Sequence, residues 1–137
     1  MRIFLDSSAL AKRYIDEQGS DLVENLCTDA SELGISTICI PEVISALNRL
    51  VRENLILHSQ YILSRSALFD DLNDIFVCQI NNVIIGKSVQ LLEKNPLRAM
   101  DALHLACALE WQPERFVSSD VRQLSAAHLE GLATERV

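Results

Sequence analysis

Short apolar runs alternate along this chain with longer segments in which apolar residues recur every three or four positions. The short runs predict buried strands at residues 2–5, 33–36, 75–78 and 115–117, with a last short strand near residues 132–134. The longer segments predict helices at about residues 9–15, 21–30, 41–53, 61–72, 82–92, 99–109 and 120–128. This alternation favours an α/β fold, a three-layer α/β/α sandwich with a central parallel sheet.

Helical spacing also predicts which side chains face the core. In the second helix we expect Leu22, Val23 and Leu26 on the inner face. In the fourth helix the expected apolar set is Tyr61, Ile62, Leu68, Phe69 and Leu72. The helix at residues 99–109 is apolar nearly all round, so we expect it to be buried on every side. Asp101 lies near its start, where no exposed face would carry the charge.

Four acidic residues follow predicted strands or begin predicted helices. Asp6 comes directly after the first strand, and Asp120 follows the fourth strand after two serines. Glu42 lies just inside the helix that follows the second strand, and Asp101 lies near the start of the helix at residues 99–109. Ligands of an open α/β sheet bind beyond the carboxyl ends of its strands, which is where all four acids fall. Plain helix capping is the alternative interpretation, above all for Asp6 and Asp120.

Asp101 is the acid that capping explains least well. A buried, unpaired carboxylate is unfavourable unless a cation, strong hydrogen bonds or a raised pKa accompanies it. Carboxylates without an accompanying set of His and Cys ligands favour Mg²⁺ or Mn²⁺ over zinc. Such a site suits phosphodiester hydrolysis, because the metal generates hydroxide from water and neutralises charge on the phosphate.

Composition limits the class of protein. The 137 residues fit one domain, and 49% of them are hydrophobic, enough for an aliphatic core. No run approaches the length of a membrane span, and Asp6 interrupts the apolar N-terminal stretch, so we expect a cytoplasmic protein. The cysteines form no C-x-x-C pair and lie in apolar contexts, so we expect Cys27, Cys39, Cys78 and Cys107 to be reduced.

The net charge of −7 argues against a nucleic-acid enzyme, because phosphate contacts are made by basic groups. The conflict is smaller if several of the acids share one metal site, where bound cations reverse the local field.

Four segments stand in order along most of the chain, and they share the pattern of a known family. They are LDSSALAKRYIDEQGS (5–20), PEVISALNRL (41–50), LRAMDALHLACAL (97–109) and FVSSDVRQLSAA (116–127). Together they resemble the PIN domain, specifically its VapC-like toxin branch. Any one of them alone would be a weak match, but four in the right order and spacing are specific.

The resemblance implies an α/β/α sandwich with a metal site for Mg²⁺ or Mn²⁺. Asp6 and Asp101 match metal-binding aspartates of the family, Glu42 matches its second-motif glutamate, and Asp120 matches its fourth acid. Ser118 stands where the family often has Thr. The frequent C-terminal Asn-Pro is absent, which leaves the C-terminal edge of the sheet in question.

The resemblance also implies an activity and partners. Members of the VapC-like branch are usually Mg²⁺-dependent ribonucleases that dimerise and are silenced by a co-expressed antitoxin. The antitoxin often inserts a peptide with a basic residue into the acidic site. The expected partners are therefore an RNA substrate, a cognate antitoxin and a second copy of this chain, with no membrane.

Further residues are candidates for supporting the site. Ser7 and Ser8 would cap the first helix, and one of their hydroxyls would orient Asp6 or a metal-bound water. Ser118 belongs to the same supporting set. Arg98 lies near Asp101 in sequence and could contact a substrate phosphate.

Two more polar residues allow alternative interpretations. Arg49 lies two helical turns after Glu42 on nearly the same face, so it is either a phosphate contact or a solvated surface arginine. His104 follows Asp101 by one turn, and on an apolar helix we interpret it as a buried histidine satisfied by hydrogen bonds rather than as a ligand or base.

Three other functions compete with a toxin ribonuclease. A non-toxin PIN nuclease of RNA processing would share every motif. An Asp-based phosphoryl-transfer protein would share Asp6. A dehalogenase-like phosphatase needs a D-x-D motif, however, and Ser8 replaces its second Asp. A response-regulator receiver needs a Lys late in the chain, and the last Lys here is Lys94. A non-catalytic interaction module of the same fold would be expected to lose acids, and all four are present.

Overall fold

A five-stranded parallel sheet forms the centre of the computed structural model, which describes all 137 residues. Its strands are β1 (Arg2–Leu5), β2 (Glu32–Ser36), β3 (Phe76–Cys78), β4 (Arg115–Ser118) and β5 (Thr134–Arg136). They lie in the order β3-β2-β1-β4-β5, and every neighbouring pair is parallel. The strand order therefore reverses between β1 and β4, where an open sheet forms a crevice at its carboxyl ends.

Seven helices cover the two faces of the sheet. They are α1 (Ser7–Ala11), α2 (Ser20–Asp29), α3 (Cys39–Arg52), α4 (His58–Asp71), α5 (Asn82–Lys94), α6 (Ala99–Trp111) and α7 (Val121–Leu129). Helices α1 to α4 pack on one core and α5 to α7 on the other. This is the three-layer α/β/α sandwich that the sequence predicts.

Successive side chains of the central strands enter opposite cores. Ile3 and Leu5 of β1 join the core beneath α1, α3 and α4, whereas Phe4 joins the core beneath α5 to α7. Val117 and Phe116 of β4 divide in the same way. Because both faces are covered, the central strands appear in the sequence as continuous apolar runs rather than as alternating ones.

The last strand lies two residues later than the sequence predicts. Gly131, with a φ of +91°, ends α7, and the Leu132 N–H donates back to the Ala127 carbonyl at 3.0 Å. Residues 131 and 132 thus belong to the helix cap, and the strand near residues 132–134 is corrected to Thr134–Arg136. It pairs with β4 and completes the C-terminal edge of the sheet.

The first helix is earlier and shorter than the predicted helix at residues 9–15. It begins at Ser7 because Asp6 itself is the capping residue. Beyond Ala11 the chain continues in tighter turns, in which the N–H groups of Lys12 and Arg13 bond to carbonyls three residues back.

Two residues predicted to face the core lie at the surface. Leu22 of α2 is 39% exposed and Phe69 of α4 is 51% exposed. In each helix the neighbouring position is the buried one, Val23 in α2 and Leu68 in α4, so each helix is rotated slightly from the orientation that spacing alone predicts.

The four cysteines are free thiols, as the sequence predicts. None of the seven helices combines the length and apolarity that crossing a bilayer demands.

Gly34 in β2 lies too close to the ring of Trp111 for any side chain. A Cβ there would stand 2.8 Å from two ring carbons. The ring itself is held by stacking on Phe76, with centroids 5.6 Å apart, and by the Arg2 guanidinium 4.1 Å above it. We therefore expect Gly34→Ala to lower the free energy of unfolding by about 1–3 kcal/mol, as overpacking does.

Gly86 provides the matched control for this prediction. It lies within α5, and a Cβ there meets no atom within 4 Å. Gly86→Ala should therefore raise the free energy of unfolding by about 0.5–1 kcal/mol, because alanine has less conformational freedom to lose in a helix. Urea unfolding measures both variants, and a Gly34→Ala protein as stable as Gly86→Ala would contradict the close approach.

Candidate active site

Asp6 directly follows β1 and caps α1. Its Oδ1 accepts hydrogen bonds from the Ser8 hydroxyl at 2.6 Å and the Ala9 N–H at 2.9 Å. Its Oδ2 accepts a third from the Ser118 hydroxyl at 2.5 Å. Asp6 is therefore a helix-capping residue, as the capping interpretation predicts. Capping does not exclude a metal, since two carboxylate oxygens together offer about four acceptor positions.

Ser118 joins the ends of β1 and β4 where the strand order reverses. Besides donating to Asp6, its oxygen accepts the Asp120 N–H at 2.9 Å. The next residue, Ser119, donates its N–H to the Ser8 hydroxyl oxygen at 3.0 Å. These bonds fix the loop after β4 against the start of α1, and so bring Asp120 to the side of Asp6.

Asp120 caps α7, which agrees with the helix-capping interpretation of this residue. Its Oδ1 accepts the N–H groups of Arg122 at 2.9 Å and Gln123 at 3.4 Å. Its Oδ2 makes no hydrogen bond within the chain, so one oxygen stays free for a ligand.

Glu42 lies in the first turn of α3, close to α1 and α6. Its Oε1 accepts the Ser7 hydroxyl at 2.6 Å and lies 2.5 Å from Nε2 of His104. The Ser7 oxygen is also 3.1 Å from the same ring nitrogen. Both partners act on one oxygen, and Oε2 of Glu42 has no partner within the chain.

His104 is buried on α6, one turn after Asp101, with 2% of its surface exposed. Its Nδ1 lies 3.7 Å from the Cys39 sulfur, while Nε2 faces Glu42. Both ring nitrogens therefore have partners. The interpretation of His104 as a buried histidine satisfied by hydrogen bonds is confirmed.

The contact between His104 and Glu42 is an ion pair at neutral pH. Burial alone would lower the pKa of His104, but hydrogen bonds to Cys39 and Glu42 outweigh it and raise the pKa to about 10. We assign this effect chiefly to Glu42, because its 2.5 Å contact is much shorter than the 3.7 Å contact with the Cys39 sulfur. For Glu42, burial favours a higher pKa, yet the bonds from His104 and Ser7 hold the pKa below its usual value.

Asp101 opens onto a small pocket of about 220 Å³ that it shares with Arg98, Asp120 and Arg122. The expectation that no exposed face would carry its charge is wrong, since Asp101 is half-buried. The first turn of α6 lies at the surface, and Met100 beside Asp101 is 41% exposed. The first buried residue of the helix is Ala102.

The other three acids act on Asp101. Burial raises the pKa of Asp101 above its usual value, and the charges of Asp120, Asp6 and Glu42 raise it further, against a lowering by His104. Burial also raises the pKa of Asp6 and outweighs the hydrogen bonds from Ser118, Ser8 and the Ala9 N–H. Burial is thus the largest cause in both cases, and the neighbouring acids add to it only at Asp101.

This donor set fits a hard divalent cation. Unbonded carboxylate oxygens remain on Asp101, Glu42 and Asp120, and His104 is not free to ligate because both of its nitrogens are engaged. As the side chains stand, no three His, Cys, Asp or Glu residues converge closely enough to hold one ion alone. Mg²⁺ tolerates such a site, because it commonly takes one or two carboxylates and keeps several waters.

The sequence and the fold both match known proteins. The family model of the PIN domain matches residues 3–129. The chain belongs to the PIN domain family. No curated protein has a matching sequence.

Solved structures share the fold of this PIN domain at low sequence identity. One is Mycobacterium tuberculosis VapC20, described as a sarcin-ricin loop cleaving toxin, with 15% identity, a TM-score of 0.73 and coverage of 98% of this chain and 99% of that one. A toxin–antitoxin complex from Klebsiella pneumoniae gives 18% identity, a TM-score of 0.71 and coverage of 98% and 99%. DNA-bound VapBC from Salmonella typhimurium gives 13% identity, a TM-score of 0.70 and coverage of 99% and 98%. The resemblance to the VapC-like branch thus extends to the three-dimensional fold.

The PIN fold gathers most of the residues singled out from the sequence. Ser7, Ser8 and Ser118 bond directly to site carboxylates, and Arg98 lines the pocket of Asp101. Arg49 is the exception. It is exposed, makes no ion pair and lies about 10 Å further along α3 than Glu42 at the usual helical rise, so a role for it stays a prediction.

Sequence reasoning missed three contacts of the PIN site. Arg122 lines the pocket of Asp101, His104 pairs with Glu42, and buried Gln123 donates from Nε2 to the Asp101 carbonyl at 3.0 Å. Arg122 and Gln123 belong to the fourth motif, two and three residues after Asp120, so their position beside that acid could have been inferred. The partner of His104 comes from a distant helix and could not.

The raised pKa of His104 predicts how the stability of the metal-free protein depends on pH. The folded pKa is about 10 against 6.5 for the free side chain, so the stabilisation is complete below pH 6.5 and is lost as the pH rises through 10. Urea unfolding in EDTA should show stability falling from pH 6.5 towards about 8.5, where cysteines begin to ionise. His104→Gln, which cannot be protonated, should show a flatter profile. Parallel profiles for the two proteins would refute the ion pair.

Proposed function

We propose that this PIN domain is a Mg²⁺- or Mn²⁺-dependent endoribonuclease that hydrolyses RNA phosphodiester bonds. The observation that carries the proposal is the placement of Asp6, Glu42 and Asp120 near Asp101, at the carboxyl edge of a PIN fold, where the charges of the other three acids raise the pKa of Asp101. A bound cation would offset this repulsion on Asp101 and so stabilise the site. Plain capping of two helices would require neither Glu42 nor Asp101 there.

Each acid has a distinct proposed role. Asp6, fixed by three donors, and Asp101, with both oxygens unbonded, would hold the metal. Glu42 and Asp120 each offer one unbonded oxygen, and would complete the site or orient the attacking water. A bound divalent ion supplies hydroxide at neutral pH and neutralises charge on the phosphate.

Around the acids, hydrogen-bond donors control orientation. Ser8 and Ser118 hold the two oxygens of Asp6, and Ser7 holds one oxygen of Glu42 together with His104. Such outer contacts orient metal ligands and raise their basicity.

The direct test is cleavage of a labelled RNA by the purified chain. We expect cleavage with Mg²⁺ or Mn²⁺ and none in EDTA, with activity restored when the metal is returned in excess. Cleavage that continues in EDTA would refute metal dependence. Absence of cleavage together with absence of Mn²⁺ binding by calorimetry would favour a non-catalytic module of the same fold.

The biological role we propose is the toxin of a type II toxin–antitoxin pair. Support comes from the fold shared with VapC20 and with toxin–antitoxin complexes from other bacteria. An apolar groove of about 670 Å³ between α3, α4 and residues 14–17, which follow α1, supports a protein partner. Its walls include Leu55 and Leu63, which are 67% and 72% exposed. A short upstream gene for a DNA-binding protein would support the toxin role, and its absence would favour RNA processing.

The homodimer and the cytoplasmic location remain proposals. An exposed apolar stripe on α5, formed by Ile85, Val89 and Leu92 at helical spacing, supports a second copy of the chain as a partner. Sedimentation analysis would test the dimer.

A further inference from the structure

The positive charges of this acidic protein are unevenly placed. Of its 12 basic side chains, those paired with carboxylates are Arg2, Lys12, Arg13, Lys87, Lys94 and Arg115. The six without an ion pair are Arg49, Arg52, Arg65, Arg98, Arg122 and Arg136. Half of these, Arg98, Arg122 and Arg136, line pockets at the carboxyl edge of the sheet. Half of the unpaired positive charge therefore lies along the edge of the sheet where the acids are.

Two pockets hold these arginines, and the loop that follows β4 contributes Asp120 to the first and Ser119 to the second. Arg98 and Arg122 line the pocket of Asp101 and Asp120, which has no hydrophobic wall. The second pocket, of about 400 Å³, is lined by Lys12, Gln18, Ser119, Arg136 and Val137.

The second pocket adjoins the acidic site through two hydrogen bonds. The Ser119 N–H donates to the Ser8 oxygen at 3.0 Å, and the Ser8 hydroxyl donates to Asp6 at 2.6 Å. Lys12 is already held by the Gln18 carbonyl at 2.6 Å and by Glu17 at 3.4 Å. Arg136 is thus the main uncompensated cation of this pocket.

We infer that an RNA strand crosses the carboxyl edge of the sheet with its phosphates in both pockets, the one that contains Asp101 and Asp120 and the one lined by Arg136. This inference rests on the proposed function and locates the substrate path for it. Guanidinium groups present paired donors that match phosphate oxygens. Neither pocket has an aromatic wall on which a base could stack, so the contacts would be to the backbone and independent of sequence.

This placement of the arginines would reconcile a net charge of −7 with an RNA substrate. Metal ions would neutralise the acids at the centre, and arginines would hold the flanking phosphates. The rest of the surface would remain net acidic and would disfavour RNA binding. Local placement of charge, rather than total charge, would then determine where RNA binds.

The salt dependence of RNA binding tests the inference. Cleavage is prevented by placing every variant in an Asp6→Asn background, with Mg²⁺ present and a short labelled single-stranded RNA of mixed sequence as the probe. For single strands, each phosphate contact contributes about 0.7 to the slope of log K against log salt. Arg98→Gln, Arg122→Gln and Arg136→Gln should each reduce the slope by about 0.7, and Arg122→Gln with Arg136→Gln by about 1.4.

Arg52→Gln is the matched control, because Arg52 is exposed and unpaired but lies in the last turn of α3. It should leave the slope unchanged. Unchanged slopes in the three edge variants would overturn the inference, as would an equal reduction of the slope in Arg52→Gln. The proposed function is judged separately, by metal-dependent cleavage in the unmutated chain, so the two failures are distinguishable.

Discussion

Replacing Asp101 with asparagine is expected to abolish metal-dependent RNA cleavage and, at the same time, to raise the stability of the metal-free protein. Burial and the charges of Asp120, Asp6 and Glu42 all raise the pKa of Asp101, so its ionised form is disfavoured in the folded state. Asparagine keeps the shape and removes the charge. The two effects point in opposite directions because the charge is useful only when a cation is bound.

The loss of activity should be about 100-fold or more, since altering an outer contact of a metal ligand alone costs about 10–100-fold. Initial cleavage rates at saturating Mg²⁺ measure it, and urea unfolding in EDTA measures the stability. Glu93→Gln is the control, because Glu93 is an exposed carboxylate on α5 without an ion pair. It should change neither quantity. An Asp101→Asn protein that cleaves RNA at the normal rate would remove Asp101 from the site.

Asp6→Asn should lose activity to a similar degree while remaining folded. Its side chain is buried and bonded to Ser8, Ser118 and the Ala9 N–H, and burial raises the pKa of the carboxyl. An amide oxygen can accept the bonds from Ser8 and Ala9, so the cap of α1 should survive. Circular dichroism would verify the fold, and a folded, fully active variant would refute the role of Asp6.

The fold was predictable because both faces of its sheet are buried. Continuous apolar runs identify the strands, and helical spacing identifies the segments between them. The failures are local. Gly131 places Leu132 in a helix cap through a hydrogen bond to Ala127, and no hydrophobic pattern reveals that bond. The predictions for Leu22 and Phe69 are wrong because spacing predicts the buried face of a helix only to within about one residue. Neighbouring side chains point in directions about 100° apart around the helix axis.

The acids were predictable for a different reason. Asp6 and Asp120 follow strands that lie side by side, and the carboxyl ends of parallel strands meet at one edge. The environment of each acid was not predictable in the same way. The apolar helix predicts that Asp101 is buried, yet Asp101 belongs to the first turn of the helix, which lies at the surface. A sequence gives the composition of a helix but not the position of its first turn relative to the sheet.

Side-chain contacts between helices that lie far apart in the sequence are the hardest to predict from it. Glu42 and His104 are 62 positions apart, and each looks ordinary alone: an acid near a helix start, and a histidine on an apolar helix. Only the packing of α3 and α6 against the same end of the sheet shows that they meet. The resulting contact leads to the last prediction.

His104→Ala is expected to weaken Mn²⁺ binding by about 10–100-fold, the usual consequence of losing an outer contact to a metal ligand. His104 and Ser7 both hold Oε1 of Glu42, which leaves Oε2 as the oxygen available to a cation. Without the imidazole, Glu42 would keep one donor and could turn away from the pocket. His104 is thus a positioning residue, which acts through Glu42.

Titration calorimetry with Mn²⁺ and no RNA separates this role from a purely structural one. His104→Gln should recover much of the affinity, because its amide N–H can donate to Glu42, whereas a space-filling role would not distinguish donors from non-donors. Ser7→Ala should weaken binding in the same direction, since it removes the other donor to the same oxygen. His128→Ala, at an exposed position on α7, should have no effect. If folded His104→Ala and Ser7→Ala both bind Mn²⁺ as tightly as the unmutated chain, then Glu42 needs no positioning, and its place in the metal site must be given up.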